Sequence, residues 1–196
     1  MRVALLKAVL VLSFICNGIA HAEEVGFYYK ETDGFWTVRG GANTSTGQAT
    51  CFGEASRNDG SSVEIHRSLV DGEMWAYIHD TAWEIQSPEK GILHWNFFGT
   101  NHRGLIDGAD FEYEVKDKNT ILVLQIKPKP FSEKLWNSRY FVVVMPGNLQ
   151  NLSISFETQG STMLAALAEC IKQNEKTYKD FKPSLEKVPD AVKEQL

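Results

Sequence analysis

Between Val25 and Phe156 polar and apolar residues alternate in short runs broken by turn residues, the habit of strands with one face in a core and the other in water. Val63 and Ile65 alternate with Glu64 and His66. Phe111, Tyr113 and Val115 alternate with Glu112 and Glu114, and Leu152, Ile154 and Phe156 with Ser153 and Ser155. Two further runs, Ile121 to Ile126 and Phe141 to Met145, are apolar nearly throughout and read as central strands. Turn signals fall between such runs at Asp33-Gly34, Asn58-Asp59-Gly60 and Asp71-Gly72, where Asp-Gly supplies the positive φ of a tight hairpin. The spacing predicts eight or nine strands in an antiparallel β-sandwich or barrel. Ser132 to Asn137 reads as a short helical turn.

The period changes late in the chain. Leu164, Leu167, Ala168 and Ile171 form an apolar stripe at helical spacing behind Ser161, a candidate N-cap, so one C-terminal helix is expected to pack on the sheet. Beyond Lys172 the residues are mostly Lys, Glu, Asp and Pro. Residues 173–196 are therefore expected to form a charged extension, with Pro183 and Pro189 breaking any long helix. At the other end, residues 1–22 have the shape of a secretory signal: Arg2 and Lys7, an apolar run from Val9 to Ile15, and a small-x-small site at Ala20-His21-Ala22. That run is short of the roughly 20 residues that span a bilayer. The expectation is a periplasmic or secreted chain with one β-rich domain over residues 23–172 and no membrane span.

Export changes how the cysteines read. Once Cys16 leaves with the signal, Cys51 and Cys170 remain, and an oxidising compartment favours their pairing. The bridge would tie the late helix to an early strand. Composition is that of a globular chain, with 43% hydrophobic and 23% charged residues. Removing Arg2 and Lys7 takes the net charge of -5 to about -7, which leaves no electrostatic footprint for nucleic acid.

Local signatures of catalysis are sparse. His66, His79, His94 and His102 have no metal-ligand spacing, so neither a metal nor another cofactor is expected. Glu112 and Glu114 read as a solvated strand face. The densest collection of recognition chemistry runs from Leu93 to Gly104 and includes Phe98, His102 and Arg103, an aromatic ring beside an imidazole and a guanidinium. These three are the candidate binding residues, for a protein partner or a glycan of the cell envelope. The pattern points away from an enzyme and towards a binding or inhibitor-type protein. The alternative is a hydrolase of envelope glycan, which would need acid-base residues such as Asp107 and Asp110 to converge with His102 on a pocket.

The mature chain also resembles small secreted proteins of unassigned function from Gram-negative bacteria, distantly similar to the invasion-associated locus B group. The similarity rests on Gly34-Phe35-Trp36-Thr37-Val38, Cys51 and Trp83, and on the block from Ser153 to Ser161 followed by Ala165-Ala166-Leu167-Ala168-Glu169-Cys170. It implies a β-sandwich with a capping helix, a disulfide and a periplasmic address, and carries no catalytic residues. The tail after Lys172 and the long segment from Asn96 to Asp107 depart from the group's pattern.

Overall fold

A computed structural model describes residues 24–32, 36–43, 47–85, 89–99, 104–146, 152–157 and 159–185. The expected export signal, the Asp33-Gly34 turn and the last eleven residues lie outside them. Among the described residues there are ten strands and two helices: β1 (Glu24–Glu31), β2 (Thr37–Asn43), β3 (Ala49–Ser56), β4 (Ser62–Ser68), β5 (Met74–His79), β6 (Lys90–Phe98), β7 (Leu105–Asp117), β8 (Thr120–Val123), α1 (Pro128–Asn137), β9 (Tyr140–Met145), β10 (Leu152–Glu157) and α2 (Gly160–Leu185). The fold is mainly β and antiparallel with a C-terminal helix, as the alternation predicts. All ten strands join one sheet in the order β1-β2-β3-β4-β5-β8-β7-β6-β9-β10, so helices rather than a second sheet cover its inner face. The sheet curls: Arg57, after β3, donates to the carbonyl of Ser155 in β10 at 3.1 Å.

Period two sorts the side chains. Val63, Ile65, Ala76, Ile78, Leu93, Trp95, Phe97, Phe141 and Val143 point inward and are fully buried, while their neighbours in sequence form the outer face. Gly60 and Gly72 take φ of +85° and +75° in the two Asp-Gly turns, as expected. Among the described residues no helix is long and apolar enough to cross a membrane.

Helix α2 lies against β1, β2 and β3 through Met163, Ala166, Leu167 and Cys170, all buried. Its close approach needs two residues without side chains: a Cβ at Gly40 would sit 2.6 Å from Cys170 Sγ, and one at Gly53 would sit 2.8 Å from Met163 Sδ. The expected disulfide joins Cys51 in β3 to Cys170 in α2, with Cα atoms 6.1 Å apart. Both helices exceed their sequence signals. Helix α1 starts at Pro128, four residues before the expected turn, because proline is tolerated in a first turn that needs no backbone donor. Helix α2 continues past Lys172 to Leu185, since the Lys, Glu and Gln residues that end the apolar stripe are good helix formers. Pro183 stands near its end rather than breaking it earlier. Ser161 lies inside the helix, and Gln159, at φ +33°, makes the turn that starts it.

Candidate functional site

The outer face of β3, β4 and β5 carries a row of rings assembled by strand register. Phe52 lies opposite His66, and His66 opposite Trp75. The Phe52 and His66 rings stack at 4.7 Å and 13°, the His66 and Trp75 rings at 5.3 Å and 11°, and Tyr77 meets His66 edge-on at 5.4 Å. Cross-strand spacing of about 5 Å matches the stacking distance of aromatic rings, so register alone aligns them.

His66 is fixed within the row by Glu64, whose Oε2 lies 2.8 Å from Nε2. An ionised carboxylate only accepts, so Nε2 carries the hydrogen. This hydrogen bond, opposed by burial and aided by the charges of His66 and Arg39, holds the Glu64 carboxyl below its ordinary range. A group with a depressed folded value stabilises the fold above its unfolded value, and that contribution disappears as pH falls through the folded one. Glu64→Gln is therefore expected to make urea midpoints less sensitive to pH between roughly 5 and 3, read by tryptophan fluorescence against the wild type. An unchanged acid slope would show that Glu64 is not linked to folding.

A trough of about 1000 Å³ opens beside the row. Gly41 and the Gly40 backbone of β2 contribute floor, Phe52, His66, Trp75 and Tyr77 line one side, and residues Gly26 to Tyr29 of β1 line the other. His66 already covers one face of Phe52, so the opposite face of that ring is directed toward β2. A bulge between Gly26 and Tyr28 distorts the edge strand here, and the space around Gly26 is open. Arg39 overhangs the trough, 3.6 Å from Glu54 and 5.9 Å from the centre of the Tyr29 ring. Asn43, Gln48 and Thr50 add amides and a hydroxyl at one end. The result is a concave surface with an aromatic wall and polar groups able to donate to, and accept from, hydroxyls.

The sequence-predicted residues stand elsewhere. Phe98 is on the outer face of β6, three strands from β5, stacked on Tyr140 at 4.7 Å. His102 and Arg103 lie outside the described residues. The carboxylates that the hydrolase alternative requires are engaged: Asp107 pairs with Lys134 at 3.0 Å and Asp110 with His94 at 2.5 Å, and neither lines the trough. Lys134 and the Gly108 backbone N–H hold the Asp107 carboxyl low, which suits a tether between α1 and β7 rather than a proton donor. Glu114 bridges Lys90 and Lys116 on the outer face, as a solvated strand residue would. His79 contacts the Thr120 hydroxyl. Among the described residues no group of His, Cys, Asp and Glu is placed to hold a metal ion.

The trough was not visible as a motif because its members come from five strands. The alternation does put Phe52, His66, Trp75 and Tyr77 on outward positions, where an aromatic ring is out of pattern, and that was the available signal. No protein-family model, curated protein or solved structure matches the chain.

Proposed function

We propose that this chain is a non-enzymatic binding protein of the bacterial cell envelope, exported through its N-terminal segment, that takes a glycan in the trough on the outer face. The observation that carries this reading is the stacked row ending at Phe52 beside a glycine floor. A pyranose ring has an apolar face that packs on an aromatic ring and a rim of hydroxyls. Arg39, Asn43, Gln48 and Thr50 match that rim with donors and acceptors together, and only a modest net charge stands nearby. The disulfide agrees with an oxidising compartment. The hydrolase reading lacks support from Asp107 and Asp110, which are engaged by Lys134 and His94.

The experiment is calorimetric titration of mature protein with the trisaccharide of N-acetylglucosamine. Binding is expected, with Phe52→Ala and Arg39→Ala each weakening it about tenfold or more while the melting temperature changes little. A silent titration would remove the glycan, and capture of an envelope protein dependent on Phe52 would transfer the same surface to a protein partner. Fractionation and N-terminal sequencing test the address. The expected first residue is Glu23.

A further inference from the structure

The inner face holds a second concavity, of about 520 Å³, between α1 and α2. Met74, Trp136, Leu164, Leu167 and Ile171 give it an apolar lining, and Trp136 is 53% exposed although it belongs to a helix that buries Phe131 and Leu135. Arg67 also lines it. In register, Arg67 lies opposite Cys51 and Met74, which places it on the inner face beside the helices.

Arg67 is the anomaly of this region. Its Nη1 is shielded from solvent and has no hydrogen-bond partner. The hairpin loop is built against the other side of the guanidinium: Gly72 has φ +75°, and a Cβ there would come within 2.9 Å of Nη2. Asp71, on the same loop, feels the charge of Arg67 only weakly. Its carboxylate is held low first by the Glu73 backbone N–H, which it accepts at 3.0 Å, and then by Ser68, and it forms no ion pair with Arg67. Lys129 and Glu133 of α1 line the groove with opposite charges that offset each other. One shielded guanidinium nitrogen thus lacks a hydrogen-bond partner, on a residue that lines an apolar groove. Folded proteins almost always satisfy such a group, because water has been removed and nothing replaces it.

We propose that this groove binds an aliphatic monocarboxylate of the fatty-acid class, with its carboxylate on the Arg67 guanidinium and its chain along Leu164, Leu167, Ile171 and Trp136. A single negative charge matches the single unmatched guanidinium donor, and a carboxylate is the planar acceptor that arginine geometry favours. The walls are side chains of two helices whose backbone groups are satisfied internally. They offer an alkyl chain contact area but offer a peptide no row of backbone donors. The site is separate from the trough, so it stands or falls independently of glycan binding.

The test compares dodecanoate with dodecanol on the oxidised mature protein, by calorimetry and by quenching of Trp136 emission with a chain-brominated dodecanoate. Trp136→Phe supplies the fluorescence blank. Dodecanoate is expected to bind about tenfold or more tighter than the alcohol. Arg67→Met should erase that difference while leaving dodecanol binding in place, and Leu167→Gln should weaken both ligands equally. Phe52→Ala should alter neither. Should Arg67→Met fail to fold, the wild type still decides: the carboxyl carbon of labelled dodecanoate, followed by NMR, is expected to stay ionised to lower pH when bound than when free. Equal binding of acid and alcohol, no binding of either, an acid preference that survives Arg67→Met, or tighter binding of a hydrophobic tripeptide than of dodecanoate would each overturn the proposal.

Discussion

The double variant Cys51→Ala, Cys170→Ala is expected to lose about 4 to 5 kcal/mol of unfolding free energy, measured by urea denaturation, and reduction of the wild type should reproduce the loss. The two cysteines are 119 residues apart, so the bridge closes most of the domain into one loop, and a loop of that length restricts the unfolded chain by roughly 5 kcal/mol in the entropic description. Total stabilities of domains this size run from about 5 to 15 kcal/mol, so the loss decides whether the fold persists at physiological temperature. The effect should be visible first in α2. That helix meets the sheet through one stripe, and a further tie to the strands is the exposed pair of Lys30 with Glu169 at 2.7 Å, whose contribution is small in water. Asn174, buried one turn beyond Cys170, directs its amide toward both sulfurs and loses its surroundings when they are removed. A loss below about 1 kcal/mol would mean that the docked stripe holds α2 without the bridge.

Face assignment was legible in the sequence, whereas lateral neighbourhood was not. Alternation places Trp95 and Phe97 inward and Phe98 outward, and the structure agrees residue by residue. It cannot reveal that β5 pairs with β8 or that β6 pairs with β9, because those partners are set by how the whole sheet closes. The candidate site followed this division. Phe98, His102 and Arg103 stand out because they are close in sequence, whereas Phe52, His66 and Trp75 become neighbours only through register. Arg67 falls in the same gap: it takes an inward place in β4, and its polar character becomes informative once the groove above it is seen to be apolar. Helix ends were misread for a local reason. Apolar stripes mark where a helix touches something, and both α1 and α2 extend beyond their contact stripes on residues with good helix propensity or a permitted first-turn proline.

Trp95→Ala is expected to cost about 3 to 5 kcal/mol, the range for emptying a large aromatic site in a well-packed core. Trp95 is fully buried, and rings from four elements enclose it: Phe131 of α1 at 5.0 Å, Phe141 of β9 at 4.9 Å, Phe111 of β7 at 6.1 Å and Phe97 of its own strand at 6.2 Å. Strand β6 itself and the strands on either side of it fix three of these rings, so they cannot collapse far into the vacated space. Phe131 can move, because α1 is attached to the sheet mainly by this contact, by buried Leu135 and by the Lys134 pair with Asp107. Amide exchange should therefore accelerate in α1 before it does in β6 or β9. Trp95→Phe separates packing from hydrogen bonding. The indole Nε1 is buried without a partner, so exchanging Trp for Phe removes an unsatisfied donor while keeping a ring in the site. The expected cost is below about 1.5 kcal/mol, far less than for alanine. A phenylalanine variant as unstable as the alanine variant would mean that the indole N–H has a partner in solution, and that the cluster is held by that bond as well as by shape.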